Sequence, residues 1–278
     1  MSTHTITSTD GTALIYDRVG QGPALVLVDG AFCSRGFGPT PKLAPLLADQ
    51  FTVFTYDRRG RGDSGDASPY TIEREIEDLA AVIGAAGGSA SVVGFSSGAI
   101  LALMAAAAGS PIDRLVAWEP PLVSDQPGGH RPPPDAVDRL AALIAADRPG
   151  QAVKYYFTQV MGAPAVVYYL MRLRPLWPKM LDAAPSLPYD AAIFTTGAAQ
   201  PATWLTPVPT PTLALTGAKS PVALQGGART VAETVRGAGY RILPGQSHNV
   251  AASVLAPVLR EFLTPPSPFI TGAPVRPT

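Results

Sequence analysis

Ser91-Val92-Val93-Gly94-Phe95-Ser96-Ser97-Gly98-Ala99-Ile100 carries the strongest structural signal in the chain. The apolar residues around Val92 and Val93 predict a short buried strand, and the run from Ala99 to Ala105 predicts a buried helix. Between them stands Gly-x-Ser-x-Gly, with Ser96 at its centre. A strand that reverses this sharply into a helix needs small flanking residues, because the central residue is held in a strained conformation. The turn lifts the Ser96 hydroxyl clear of the sheet and sets it at a helix N-terminus. Free N–H groups there can bind a developing negative charge. A bare Gly-x-Ser-x-Gly also arises by chance in loops rich in glycine and serine. Its place on a strand-turn-helix favours a nucleophile.

Two alternating segments, 4–9 and 13–19, flank Asp10-Gly11 and predict a hairpin. Residues 24–28 form a continuous apolar run, as expected of a strand covered on both faces, and 51–56 predict another strand. Ile72, Ile76, Leu79 and Ile83 share one helical face. Glu73, Glu75, Glu77 and Asp78 are placed favourably for the dipole of that helix. Further strands are expected at 114–118, 212–216 and 240–243, with helices at 222–236 and about 250–262. Strands alternating with helices predict an α/β domain, its sheet mostly parallel and flanked by helices.

The rhythm breaks between Leu122 and Pro209. Pro127, Gly128, Gly129 and Pro132–Pro134 predict an extended entry to helices at 136–146, 151–161, 165–173 and near 177–183. The expected division is a core at 1–122 and 206–263, a helical cap at 123–205, and an extended or disordered tail at 264–278.

Composition narrows the function. The chain has 278 residues, is 46% hydrophobic and only 15% charged, and 21 Lys and Arg balance 21 Asp and Glu. With no basic run, no nucleic-acid partner is expected. No leader-like or membrane-spanning stretch is read, so a cytoplasmic protein with no membrane association is expected. A single cysteine, Cys33, excludes an internal disulfide and reads as small packing. No cluster has metal-ligand spacing and no nucleotide fingerprint is present, so no cofactor and no metal are expected.

A serine hydroxyl needs a base, usually histidine, oriented by an acid. Of three histidines, His4 lies in the hairpin and His130 in a Pro/Gly loop. His248 follows the last strand, where loops at the carboxyl ends of parallel strands converge. It reads as the base, against the alternative of a helix cap or a solvated residue.

The hairpin, Asp29-Gly30, the turn Tyr56-Asp57-Arg58-Arg59-Gly60-Arg61-Gly62, the Ser96 elbow and His248 together resemble the α/β-hydrolase family. The resemblance covers nearly the whole chain to about residue 263. It implies an eight-stranded sheet and an oxyanion hole of backbone N–H groups from Ser97 and from Ala31, with Phe32 as the alternative to Ala31. It also implies a structural role for the arginine-rich turn, which otherwise reads as an anion site. Most relatives carry an aspartate after the strand at 212–216. Here that loop reads Thr216-Gly217-Ala218-Lys219-Ser220-Pro221, without a carboxylate. Glu119, in Trp118-Glu119-Pro120-Pro121, stands at the end of the preceding strand. Zearalenone lactonases are similar in this arrangement, which implies Glu119 as the acid. Pairing of Glu119 with Arg58 or Arg114, and a site with no charged third member, are the alternatives.

Phe32, Tyr156, Met161 and Trp177 are expected to face the serine and make an apolar pocket for a small-molecule substrate. The reading is a cofactor-free serine hydrolase of a carboxylic ester or lactone, monomeric or homodimeric. Left open are a non-hydrolytic enzyme of the same fold (perhydrolase or haloperoxidase, C–C cleavage, or a biosynthetic cyclase) and a catalytically lapsed binding protein.

Overall fold

The alternating segments around Asp10-Gly11 form the expected hairpin, β1 (Ser2–Thr7) antiparallel to β2 (Ala13–Val19). The structure, a computed structural model, describes residues 1–122 and 130–264. The expected entry at 127–129 and the tail beyond 264 lie outside the described residues.

The hairpin continues into β3 (Ala24–Val28), α1 (Thr40–Leu47), β4 (Thr52–Tyr56), α2 (Ile72–Ala85), β5 (Ala90–Phe95), α3 (Ser97–Ala107) and β6 (Ile112–Trp118). After an inserted helical segment come β7 (Thr212–Gly217), α10 (Val222–Thr234), β8 (Gly239–Leu243) and α11 (Ala252–Leu263). The eight strands form one sheet in the order β1-β2-β4-β3-β5-β6-β7-β8. Only the β1–β2 and β2–β4 pairs are antiparallel.

Covering both faces accounts for the apolar strands. On β3, Leu25 and Leu27 pack with Leu43 and Leu47 of α1 and with Leu255 and Leu259 of α11. Val26 and Val28 point the other way, into Leu79 and Val82 of α2 and the apolar run of α3. Helix α3 is buried along nearly its whole length, between the sheet and other helices, so its sequence is apolar all round. Strand order places the site: the chain leaves β3 for β4 on one side, then returns to add β5 on the other. The crevice at the carboxyl ends of β3 and β5 is the switch point where such sheets place ligands.

The inserted segment contains α4 (Ala136–Ala145), α5 (Pro149–Tyr155), α6 (Ala165–Arg172), α7 (Trp177–Asp182), α8 (Leu187–Ala198) and α9 (Pro201–Leu205). A π-helical turn, Tyr156–Val160, ends α5 and replaces the continuous helix expected to 161. Helices α8 and α9 were not expected. Helix α8 has proline in its first turn, no side-chain cap and apolar residues on several faces, so it shows no clear period. The expectation for α2 also needs correction. Glu75 and Asp78 are buried, and they neutralise arginines rather than merely complement the helix dipole. No helix among the described residues is long and apolar enough to cross a membrane.

Candidate active site

Ser96 takes φ 53° and ψ −122°, a conformation that side-chain-bearing residues rarely adopt. The turn is possible because its neighbours lack side chains. A Cβ on Gly94 would lie 2.5 Å from the Ala99 Cα, and one on Gly98 would lie 2.5 Å from the Asp29 carbonyl oxygen. The Ser96 N–H donates to the Trp118 carbonyl at 2.9 Å, fixing the elbow to the end of β6. Phe32 and Glu119 also have positive φ, 64° and 46°. Among the described residues, three of the five such non-glycine residues fall at or just past the ends of β3, β5 and β6.

Phe95 and Trp118 are partners across β5 and β6, so Ser96 and Glu119 leave the sheet side by side. The Glu119 carboxylate is fully buried. Its Oε1 accepts from the Thr216 hydroxyl at 2.9 Å and from the Gly217 N–H at 2.7 Å. Its Oε2 lies 2.6 Å from His248 Nδ1. Burial pushes this carboxyl up, but the bonds from His248 and Gly217 outweigh it and hold Glu119 below the usual carboxylate range. The buried Ser220 hydroxyl adds to that effect from nearby, although no well-formed hydrogen bond joins the two. Trp118 anchors the histidine loop by donating its indole N–H to the His248 carbonyl at 3.1 Å.

An ionised carboxylate only accepts, so the Nδ1 of His248 carries the hydrogen. In the neutral ring Nε2 then keeps its lone pair, the state a general base needs. The other candidate partners of Glu119 are engaged elsewhere. Arg58 pairs with Glu75 and Asp190, and Arg114 donates to the Phe262 carbonyl.

Opposite the elbow, a Cβ on Gly30 would come within 2.9 Å of the Ser96 Cβ, so only glycine lets this loop lie against the serine. Among the described residues, no hydrogen bond uses the N–H of Ala31, Phe32 or Ser97. The Phe32 ring meets Tyr156 edge-on and stacks on Phe157, each at 5.4 Å between centroids. Trp177 is half-buried in the same cluster of inserted helices, against Tyr168, whereas Met161 is 43% exposed. Cys33 is half-buried beside Asp29, and burial pushes its thiol far up, consistent with packing.

The arginine-rich turn is an internal ion cluster. Arg58 makes a two-pronged pair with Glu75 at 2.7 and 2.8 Å, and Arg59 does the same with Asp78 at 2.7 Å for each bond. Arg61 reaches Asp190 of α8 at 2.9 Å. Sequence reasoning missed Asp190, and also missed Thr216 and Gly217 as supports of Glu119. The one available signal was that Asp190 is the sole charge in the otherwise uncharged stretch Leu187–Ala198.

The alpha/beta hydrolase family model matches residues 25–259, most of the chain and both halves of the site. The chain belongs to the alpha/beta hydrolase family. A crystal structure of an alpha/beta hydrolase from Sphaerobacter thermophilus DSM 20745 is 46% identical, with a TM-score of 0.87 over 94% of this chain and 100% of that one. The enol-lactonase from Burkholderia xenovorans LB400 shares the hydrolase fold at 21% identity, with a TM-score of 0.72 over 94% and 99% of the two chains. A pimeloyl-[acyl-carrier protein] methyl ester esterase of Stenotrophomonas maltophilia (strain R551-3) is 32% identical over 158 residues. That match covers 56% of this chain and 59% of the esterase, less than two thirds of its length.

Proposed function

We propose that this hydrolase cleaves a carboxylic ester or lactone with an apolar acyl part, through an acyl-enzyme on Ser96. The observation that carries the reading is the 2.6 Å bond from His248 Nδ1 to a buried Glu119 already gripped by Thr216 and Gly217. Such an arrangement gives the imidazole one tautomer, and it stands at the strand end adjoining the Ser96 elbow.

His248 Nε2 takes the Ser96 hydroxyl proton as Oγ bonds to the carbonyl carbon. The oxyanion that forms is held by the Ala31 and Ser97 N–H groups, each worth roughly 3 kcal/mol by analogy with other oxyanion donors. As the intermediate collapses, the bond to the leaving oxygen breaks and His248 returns the proton to that oxygen. Water, deprotonated by His248, then attacks the acyl-enzyme, and Ser96 recovers its proton as the acid departs. Glu119 keeps the imidazole oriented and stabilises its charged form throughout. The inserted helices act as a cap, with Phe32 and Tyr156 contributing to an apolar wall; enol-lactonase and esterase neighbours support this substrate class.

Mass spectrometry of protein treated with a fluorophosphonate tests the reading. A stoichiometric adduct on Ser96 is expected, together with turnover of p-nitrophenyl butyrate. The rates of labelling and of turnover should both fall by about 10⁴-fold or more in His248→Ala. A folded wild-type protein that neither labels nor turns over overturns it.

A further inference from the structure

Behind the elbow, a buried cluster of charges touches the backbone of the loop after β3 and the hydroxyl of Ser97. Arg61 Nη1 donates to the Gly30 carbonyl at 2.9 Å, and Arg58 Nη1 donates to the Asp29 carbonyl at 3.3 Å. A single atom, Asp190 Oδ1, accepts from Arg61 at 2.9 Å, from Arg58 at 3.1 Å and from the Ser97 hydroxyl at 2.8 Å. Asp190 is fully buried, and its Oδ2 has no partner.

We propose that Arg61 and Asp190 are positioning residues that aim the two oxyanion donors, Ala31 N–H and Ser97 N–H, at the reacting carbonyl oxygen. The proposal rests on the hydrolase reading given above. Its core is the geometry of one peptide group. The Gly30 carbonyl and the Ala31 N–H belong to the same planar unit, with oxygen and hydrogen on opposite sides. A guanidinium clamped to the oxygen therefore fixes where the N–H points. A charged donor on the carbonyl also polarises the unit, which makes the N–H a stronger donor in turn.

The second donor is referenced to the same atom. Ser97 opens α3, and its hydroxyl is tied to Asp190 Oδ1, the oxygen that also holds Arg61. Both donors are thus set from one fixed point, carried by a helix of the inserted segment. Displacing α8 would move the donors relative to each other. Arg58 is less dependent on this point because Glu75 compensates it separately. For Arg61, Asp190 is the one carboxylate partner among the described residues. Guanidinium groups do not deprotonate in proteins, so the device serves geometry rather than proton transfer.

A merely structural tie between α8 and the sheet would lower stability and the yield of competent protein, leaving each competent site unchanged. Fluorophosphonate titration counts competent sites, so kcat for p-nitrophenyl butyrate can be expressed per titrated Ser96. Asp190→Asn is expected to lower that kcat about tenfold, a fraction of the effect of deleting a donor outright, with KM within about twofold. Arg61→Met combined with Asp190→Asn, which leaves no lone buried carboxylate, should lose at least as much. Ser97→Ala keeps the backbone N–H and removes one hydroxyl, so it tests the idea even if the charge variants do not fold. A loss of about threefold is expected there. Full kcat per titrated site in Ser97→Ala, or in Asp190→Asn with only its melting temperature lowered, overturns the proposal. An inactive, unlabelled wild type would overturn the hydrolase reading instead, and this inference with it.

Discussion

Glu119 and Asp190 are both fully buried carboxylates held below the usual carboxylate range, yet they face partners of opposite kinds. Glu119 sits just past the end of β6, where the sheet fixes its backbone, and its ionisable partner is an imidazole. Asp190 sits in α8 of the inserted segment, and its partners are two guanidiniums and a hydroxyl. Burial alone would push both upward. Hydrogen bonds from His248 and Gly217 reverse this for Glu119, and the charges of Arg61 and Arg58 reverse it for Asp190. An imidazole can pass a proton on, whereas a guanidinium cannot. The partner, rather than the carboxylate, decides whether a buried acid supports proton transfer or holds geometry.

Glu119→Gln should have the largest effect. The side chain keeps its shape, but an amide N–H₂ facing Nδ1 would make that nitrogen an acceptor and put the hydrogen on Nε2. The base is then lost to the wrong tautomer, and kcat should fall by about 10³- to 10⁴-fold with the fold intact. Active-site-normalised ester hydrolysis measures it. Full activity would show that His248 works without its acid.

Asp190→Ala should break the other half, and its readout is stability. Arg61 would lose its carboxylate and Arg58 one of two, leaving buried positive charge uncompensated. A loss on the order of 3–5 kcal/mol is expected in urea unfolding. A loss under about 1 kcal/mol would show that water or local rearrangement compensates Arg61 readily, and that α8 does not depend on this contact.

The two halves also differ in how legible they were. The β-strands, the elbow and His248 could be read because each rests on local pattern: apolar runs, glycines where a Cβ has no room, one histidine at a strand end. Glu119 was reachable only through the family resemblance, which implies an aspartate in the loop at 216–221, where this chain has none, and an acid after the preceding strand in some relatives. The ion cluster was not legible. Arg61 and Asp190 are 129 positions apart, and nothing local says that a helix from the insertion returns to the β4–α2 turn. Helix α8 itself was missed because burial on several sides erases the period by which a surface helix is recognised.

Asp29 shows what happens to a buried carboxyl without a close cation. Its Oδ2 accepts from Thr40 at 2.6 Å, its Oδ1 has no partner, and Arg61 and Arg58 act on it only at longer range. Burial therefore prevails and pushes its pKa from 3.8 up to about 7. Between those values the folded protein retains a proton that the unfolded chain has released. Stability must then fall as pH rises through that window, by at most about 1.4 kcal/mol per pH unit, and this contribution levels off above it. Asp29→Asn has no proton to lose, so the wild type should be favoured most near pH 4 relative to the variant, and that advantage should shrink toward pH 7. Urea unfolding of the pair at several pH values measures the difference. A difference that stays flat would mean that Asp29 is ionised throughout. Its longer-range arginines would then be compensating it as effectively as the direct pairs compensate Asp190.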